Sequence, residues 1–369
     1  MQLSRLISGL VYGGSLGLMI CLAGCQRSAG QQDGVSGAPA APFIAGVSAG
    51  NDDGHLLLYI PRGKQCRFVL VARDGTVQAE AEIPGNALGV SRLTGTTAYF
   101  GRFVPRSLAG VASVDLASGV VRRAMPLPDG CRTSIVGGHG QTLYVRLGRL
   151  DPPAWRLLAL DVASGRTSPL TPFFEPNLTP FDPSFLSLSS DYSKAFFGLR
   201  NDIMAWPLGR TEGGVQDAQR VLRFPFRPVD CALAPDGSAG AALVVNGHDE
   251  PVLPTEDLEY DLDVAVGERV ATIAKGARIR LGGFHEGSGD LAWTRQTEGG
   301  QATVELHIYD SRTWREKQVL SAHLDGPVRG LFWLSGGDVV LWTTTICYVW
   351  HIADGGVTRV YDAATAAQR

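Results

Sequence analysis

The stretch Val114-Asp115-Leu116-Ala117-Ser118-Gly119-Val120 decides the fold, because the chain repeats it. Close copies are Leu160-Asp161-Val162-Ala163-Ser164-Gly165-Arg166 and Leu262-Asp263-Val264-Ala265-Val266-Gly267-Glu268. An aspartate that ends an apolar run, followed four residues later by glycine, is typical of a strand that ends in a tight turn. The aspartate accepts hydrogen bonds from turn amides, and glycine adopts the positive φ of the corner. The chain is therefore predicted to be an array of one β unit.

A second turn signal alternates with this one along the chain. It is a polar turn followed at once by an apolar strand, and its seven markers are Gly54, Gly95, Gly140, Tyr192, Gly237, Gly289 and Gly337. The markers are 41 to 52 residues apart, which is the length of a four-stranded propeller blade. The strand-ending turn that these Asp-x-x-x-Gly stretches define also recurs seven times, at 71–75, 115–119, 161–165, 263–267, 310–314 and 351–355, with a degenerate copy at Trp206-Pro207-Leu208-Gly209. Val71 and His351 replace the aspartate in two copies, and Trp314 replaces the glycine in another.

Two turns per repeat divide each repeat into four strands. Seven repeats over residues 43–361 predict an all-β, seven-bladed β-propeller of four-stranded antiparallel meander blades, with a solenoid or sandwich of the same strands as the alternative. The 46 glycines and 21 prolines of the chain agree with many tight corners. In such a blade both recurring turns lie on one side of the disc, here named the turn face. The connections from second to third strand and from fourth strand to the next blade lie on the other side, named the variable face.

The repeated turns resemble those of a known class of propeller. The segments Leu186-Ser187-Leu188-Ser189-Ser190-Asp191-Tyr192-Ser193 and Ala232-Leu233-Ala234-Pro235-Asp236-Gly237-Ser238 are similar to the Ser-Pro-Asp-Gly turn of TolB-type, WD-repeat-like bacterial β-propellers. The Asp-Leu-Ala-Ser-Gly turns are similar to the second half of that repeat. The resemblance covers almost all of the chain after the N-terminal segment and implies the fold, but not an activity, because propellers host many functions.

The N-terminus carries a secretory pattern. Residues 1–24 combine a basic start with a Gly-interrupted apolar run, which predicts a signal peptide; a plain transmembrane anchor is the alternative. Leu22-Ala23-Gly24-Cys25 resembles the lipobox of bacterial lipoproteins, which implies cleavage before Cys25 and its acylation with palmitate-type chains. Gln26 in place of aspartate favours the outer membrane facing the periplasm. Residues 26–42 predict a flexible tether, and 362–369 a C-terminal tail.

Four further cysteines would lie in an oxidising compartment: Cys66, Cys131, Cys231 and Cys347. They allow three pairings. Cys66 and Cys347 each begin the third strand of blades 1 and 7, so a disulfide between them could close the ring in place of a shared strand. Packed sheets lie ~10 Å apart whereas the Cα atoms of a disulfide need roughly 4.4 to 6.8 Å. Buried free thiols are therefore the alternative.

The variable face holds the candidate binding residues. The connection at 171–185 is rich in proline and carries Phe173, Phe174, Phe181 and Phe185. Stiff aromatic loops anchor partners at low entropic cost, although these rings could instead plug the central channel. Arginines in the other connections of this face are Arg227, with Arg62, Arg106, Arg149 and Arg223. The acidic stretch 246–261 is interpreted as a solvated loop, with a cation or basic partner as the alternative.

Several function classes find no support in the residues. The formal charge of −3 and pI ≈ 6.2 lack the basic footprint of a nucleic-acid binder. The seven histidines form no i, i+2 or i, i+4 pairs, and no Gly-x-Ser-x-Gly elbow or phosphate loop occurs, so we predict no catalytic residue, metal or cofactor. The prediction is a lipid-anchored, non-enzymatic scaffold that binds a protein or envelope polymer. The alternative is an extracytoplasmic propeller enzyme, lactonase-like or quinoprotein-like, with its site at the channel mouth.

Overall fold

The computed structural model describes residues 42–49, 54–62, 65–84, 87–94, 96–102, 110–126, 128–150, 152–175, 185–247, 258–297 and 303–366. Within these ranges the chain forms seven four-stranded antiparallel sheets, each made of four consecutive strands. The predicted seven-bladed propeller of meander blades is confirmed.

The first four blades use the following strands. Blade 1 is β1 (Gly46–Ala49), β2 (His55–Arg62), β3 (Gln65–Ala72) and β4 (Val77–Pro84). Blade 2 is β5 (Ala87–Thr94), β6 (Thr97–Arg102), β7 (Gly110–Asp115) and β8 (Val121–Pro126). Blade 3 is β9 (Cys131–His139), β10 (Thr142–Leu150), β11 (Pro153–Asp161) and β12 (Thr167–Pro169). Blade 4 is β13 (Leu186–Leu188), β14 (Lys194–Leu199), β15 (Asp202–Pro207) and β16 (Gln219–Arg223).

The last three blades complete the ring. Blade 5 is β17 (Pro228–Leu233), β18 (Ala239–Val244), β19 (Tyr260–Val266) and β20 (Arg269–Gly276). Blade 6 is β21 (Ile279–Phe284), β22 (Leu291–Gln296), β23 (Thr303–Asp310) and β24 (Arg315–His323). Blade 7 is β25 (Gly330–Trp333), β26 (Val339–Trp342), β27 (Ile346–Trp350) and β28 (Val357–Asp362). A 3-10 turn (Val215–Asp217) precedes β16, and a short helix α1 (Ala363–Ala366) follows β28.

Each blade buries both of its faces. In β2, Leu57 and Tyr59 pack against blade 2, whereas Leu56, Leu58 and Ile60 pack against blade 7. Successive side chains of a strand point to opposite faces, so a strand covered on both sides is a continuous apolar run. One such apolar cluster lies between each of the seven pairs of adjacent blades. Because first strands of adjacent blades contact one another, they surround the central channel.

The repeated turns form as predicted. The residue that closes the Asp-x-x-x-Gly turn has a positive φ in every blade: Gly75, Gly119, Gly165, Gly209, Gly267, Trp314 and Gly355. The carboxylate of Asp115 accepts a hydrogen bond from the Ala117 N–H at 2.9 Å, and that of Asp161 accepts one from the Ser164 N–H at 2.7 Å. The turn face is therefore built by backbone geometry and by side chains that bond to their own turns.

Blades 1 and 7 close the ring without sharing a strand, as the repeats predicted, since each of the two sheets contains its own four strands. A shared apolar cluster joins them, with Leu58 and Val69 on one side and Trp342 and Val349 on the other. A backbone hydrogen bond also joins the two sides of this seam: the Ile44 N–H donates to the Thr344 carbonyl at 2.7 Å. The predicted tail begins inside this seam, where Ala363 of α1 is buried.

The proposed ring-closing disulfide is wrong, because none of the four described cysteines forms a disulfide. Cys66 lies in the cluster between blades 1 and 2, where its sulfur is 3.3 Å from the Tyr59 hydroxyl. Cys347 lies in the seam cluster on the other side of blade 1. A whole sheet thus separates the two sulfurs. The thiols of Cys66, Cys231 and Cys347 are buried and outside any disulfide, as in the alternative, whereas Cys131 is partly exposed. Burial raises the pKa of the Cys347 thiol.

Candidate functional site

The first part of the Phe-rich connection continues the fourth strand of blade 3. Beyond β12, the Leu170 N–H donates to the Leu157 carbonyl at 2.9 Å, and Phe174 forms an isolated β-bridge with Trp155. Between them the buried Thr171 hydroxyl accepts the Leu157 N–H at 3.0 Å. An extended backbone alternates the direction of its side chains. The neighbouring rings of Phe173 and Phe174 are therefore sent to opposite sides.

Phe174 belongs to the core and not to a docking surface. It is 1% exposed, and its ring centroid lies 4.9 Å from those of Trp155 and Trp206 and 5.3 Å from that of Phe197. These rings form the interface of blades 3 and 4. The prediction that Phe174 contacts a partner is wrong for this reason. Phe185 is likewise partly buried against the apolar cluster of blades 4 and 5.

Phe173 lies on the variable face with two arginines. The guanidinium carbons of Arg149 and Arg156 are each 4.3 Å from the centroid of its ring, which is within the range of cation–π contacts. In the register of blade 3, Arg149 pairs with Cys131 and with Ala154, and Arg156 pairs with Leu147. Directly paired residues share a face of a sheet. The Arg149–Phe173–Arg156 cluster, with Cys131 beside it, therefore faces blade 2 at the variable-face end of the interface.

The two guanidinium groups of this cluster retain bonding capacity. The Nε atoms of Arg149 and Arg156 are buried and make no hydrogen bond, and no ion pair joins either group to a carboxylate among the residues that the structure describes. A buried donor without a partner costs about 1–3 kcal/mol. The thiol of Cys131 lies within electrostatic range of both groups: desolvation raises its pKa, the charges of Arg149 and Arg156 oppose the rise, and the carboxylate of Asp129 adds to it by a smaller amount. The cluster thus concentrates positive charge around an aromatic ring.

The remaining predicted residues are more dispersed or lie outside the described part of the chain. Arg227 is partly buried just before β17, in the connection between blades 4 and 5. On the same face, Arg223 forms an ion pair with Asp202 at 3.7 Å. Cys25, Phe181 and residues 248–257 of the acidic stretch fall outside the described residues. The structure therefore brings together Phe173 and Arg149, two of the residues that the sequence placed on this face, and adds Arg156.

A second candidate region lies on the turn face. A cavity of about 320 Å³ opens there among the first turns of blades 4 to 7; its walls are Leu188, Ser190, Pro235, Phe284, His285, Glu286, Trp333, Leu334 and Ser335. The sequence motifs predicted a functional site on the opposite face and did not indicate this cavity. The aromatic residues next to the first turns of blades 6 and 7 were the available signal.

His285 in this cavity fastens blade 6 to blade 7. Its Nδ1 accepts the Ser288 N–H at 3.1 Å, and its Nε2 is 3.1 Å from the Ser335 carbonyl oxygen. A carbonyl can only accept, so the proton of the neutral ring is on Nε2. Both ring nitrogens are occupied by these bonds. The indole N–H of Trp333 also donates across the interface, to the Gly283 carbonyl at 3.1 Å. The side chains of His285 and Trp333 therefore support the scaffold.

A buried carboxyl group lies in the channel between the two faces. Asp230 on the first strand of blade 5 accepts the Cys231 N–H at 2.9 Å. Burial raises the pKa of Asp230 to about 7, and the nearby charge of Arg280 on blade 6 opposes the rise. Part of Asp230 remains accessible from the channel, so water there weakens the effect of burial. Arg280 itself is 3% exposed and donates to the Ile279 carbonyl at 2.9 Å.

Among the described residues, no three His, Cys, Asp or Glu side chains come together in a way that could hold a metal ion. The helices within the described ranges include none with the length and apolar character needed to cross a bilayer.

Comparison with known proteins supports the fold. Neither a protein-family model nor a curated protein sequence matches the chain. Among solved structures, the β-propeller domain of the Trilobed protease from Pyrococcus furiosus matches with 14% identity over 88% of this chain and 99% of that one, at a TM-score of 0.52. That domain is described as having an open velcro topology.

Two further structures are more distant. One, assigned to TolB from Agrobacterium tumefaciens, matches with 13% identity over 64% of this chain and 81% of that one, at a TM-score of 0.43. The other, oligogalacturonate lyase from Vibrio parahaemolyticus, matches with 9% identity over 72% and 85%, at a TM-score of 0.35. The protein is a β-propeller with a TolB structure among its neighbours, as the turn motifs indicated. At these identities the likeness concerns the fold alone.

Proposed function

We propose that the protein is a lipid-anchored propeller of the cell envelope that acts as a non-enzymatic binding or assembly scaffold. It docks a partner protein or an envelope polymer through the variable face. The observation that supports this proposal is the Arg149–Phe173–Arg156 cluster, in which two cations flank a partly exposed ring. Arginine and aromatic side chains are enriched among the residues that dominate binding energy at interfaces.

The rigidity of the cluster favours a binding role. Arg149 and Arg156 stand on paired strands of blade 3, and Phe173 is held by the neighbouring bridge between Phe174 and Trp155. Side chains that are already ordered lose little conformational entropy when a partner binds. The repeated turn face offers nothing comparable, since its aspartates bond to their own turns.

Photo-crosslinking tests the docking surface. A benzoyl-phenylalanine at position 173 keeps an aromatic ring in the cluster and is expected to capture a specific envelope component in intact cells. The matched control is the same residue at position 270, because Val270 is 38% exposed on the outermost strand of blade 5. An adduct from position 173 alone supports the proposal. Efficient incorporation at both positions with no specific adduct from 173 contradicts it.

Envelope anchoring rests on the N-terminal sequence and has its own test. Leu22-Ala23-Gly24-Cys25 resembles a lipobox, so the thiol of Cys25 is the expected site of acylation, with outer-membrane attachment facing the periplasm. Cys25→Ala is expected to abolish labelling by a fatty-acid probe and to release the protein from the membrane fraction. Cys131→Ala is the control, and it should leave both unchanged. Persistent labelling of the Cys25→Ala protein would overturn the anchor.

A further inference from the structure

We propose that the Arg149–Phe173–Arg156 cluster is an oxyanion site that takes a carboxylate or phosphate group between blades 2 and 3 at the variable face. The inference rests on the proposed function in one respect, because it names the chemistry of the group that the docking surface recognises. Its test uses small anions and does not depend on the identity of the partner.

The electrostatics of the cluster favour a bound anion. Two guanidinium carbons lie 4.3 Å from one ring centroid, and neither group has a carboxylate partner within the described part of the chain. Arginines that share a small volume repel each other, and this repulsion is strongest where water is partly excluded. A bound oxyanion reverses the sign of that interaction. Other described arginines are already paired with carboxylates, as Arg295 is with Glu305 at 2.9 Å and Arg220 is with Glu268 at 3.0 Å.

The guanidinium groups of Arg149 and Arg156 also have hydrogen-bond donors without an acceptor. The Nε atoms of both arginines are buried without an acceptor, although an arginine carries five N–H donors in a planar fork. The contacts with the Phe173 ring are cation–π contacts, which do not use the N–H groups as hydrogen-bond donors to an acceptor atom. Carboxylate and phosphate oxygens match the planar fork in a bidentate geometry. The cluster therefore offers the donor chemistry that such anions need.

The two arginines stand on the sheet of blade 3, and the thiol of Cys131 lies beside them on the same face. Arg149 is the register partner of Cys131, and both lie on the same face of blade 3 as Arg156. Cys131 is the partly exposed member of the four described cysteines, while Cys66, Cys231 and Cys347 are buried. An anion held by the two arginines would cover this thiol. The rate at which Cys131 reacts therefore reports occupancy.

The experiment measures alkylation of Cys131 by neutral iodoacetamide in the full chain, followed by peptide mass analysis. Inorganic phosphate and acetate are titrated separately at constant ionic strength, with chloride as the filler salt, because screening alone changes surface electrostatics. We expect saturable protection of roughly 3-fold or more, with half-saturation on the order of 1–10 mM for a small anion. Protection by phosphate alone, or by acetate alone, identifies the preferred group. If the alkylation rate of Cys131 in the wild-type protein is the same at all concentrations of both anions, the proposal is wrong.

Variants then locate the site. Arg149→Gln and Arg156→Gln are each expected to raise the half-saturating anion concentration about 10-fold, the size of effect that one charge-assisted hydrogen bond supports. Arg295→Gln is the matched control on blade 6 and should leave protection unchanged. Protection that persists in both cluster variants contradicts the assignment. Protection without a crosslinked partner would leave this inference standing and remove the scaffold, whereas a crosslinked partner without protection would do the reverse.

Discussion

The two faces of the disc differ in where their polar groups find partners. On the turn face, the carboxylates of Asp115, Asp161 and Asp310 accept hydrogen bonds from amides of their own turns. On the variable face, the Nε atoms of Arg149 and Arg156 have no acceptor. Repeated residues thus complete the scaffold, while residues that occur once leave bonding capacity for a partner. Measurements of stability test this difference between the two faces.

The largest effect is expected from a pair of neighbours on the variable face. Phe174→Ala removes a ring that is 1% exposed among Trp155, Phe197 and Trp206, and should lower the free energy of unfolding by about 3–5 kcal/mol. Phe173→Ala removes a partly exposed ring and should cost about 1 kcal/mol, because little cavity remains. Urea unfolding followed by tryptophan fluorescence measures both. Equal losses would mean that Phe173 is also a core residue.

The next effect tests the turn face with two glycines of positive φ. A Cβ on Gly237 (φ +74°) would come within 2.4 Å of the Phe196 ring, whereas one on Gly119 (φ +68°) has no atom within 4 Å. Gly119→Ala should therefore cost only the backbone strain, about 1–2 kcal/mol. Gly237→Ala adds overpacking and should cost about 2–4 kcal/mol. Thermal unfolding of both proteins checks the order, and a larger loss from Gly119→Ala would refute it.

A pH effect is expected from the channel between the faces. Burial raises the pKa of Asp230 to about 7 from an ordinary value of 3.8, so the folded state holds a proton that the unfolded state has lost. Its contribution to stability is complete below about pH 4 and disappears as the pH rises to about 7. Asp230→Asn should flatten this decline and stabilise the protein at pH 8 by on the order of 1–3 kcal/mol, allowing for water in the channel. Identical pH profiles for both proteins would contradict the raised pKa.

The smallest effect has the opposite sign and belongs to the turn face. Hydrogen bonds from the Ser189 hydroxyl and from the Ser193 N–H and hydroxyl lower the pKa of Asp191 to about 2. Its contribution to stability is therefore present above about pH 4 and is lost as the pH falls to about 2. Asp191→Asn should lower the Tm slightly at pH 7, and the difference from the wild type should narrow in acid. A difference that grows below pH 4 would exclude this account.

Local signals in the sequence predicted the scaffold well. Positive φ at Gly119 and Gly165 follows from residue type and turn pattern, and even Trp314 adopts it where glycine is replaced. The four strands of blade 7 were also predicted from the sequence, because each turn signal depends only on neighbouring residues of the chain. Closure without strand exchange follows from the same count.

The sequence could not predict directions that depend on neighbours. Whether Phe173 or Phe174 is buried depends on the hydrogen bonds that extend β12 along β11, and no residue type specifies that extension. Cys66 and Cys347 occupy equivalent strand positions and each faces the following blade, so Cys66 lies between blades 1 and 2 whereas Cys347 lies between blades 7 and 1, with the sheet of blade 1 between them. Arg156 was not predicted as a site residue; it contacts Phe173 because the register of blade 3 puts it on the same face as Arg149. The cavity beside His285 is lined by residues from four blades, so no short sequence motif could indicate it.

The seam has a consequence for the connectivity of the ring. The Ile44 N–H bonds to the carbonyl of Thr344 and the Ala363 N–H to that of Thr345, so the two ends of the described propeller meet at neighbouring residues. Because no strand crosses between blades 7 and 1, this interface resembles the other six in construction. A circular permutant that joins these ends and opens the chain at an exposed corner such as Gly119 should fold to the same ring. In that sense the order of the blades along the gene is separable from their order in space.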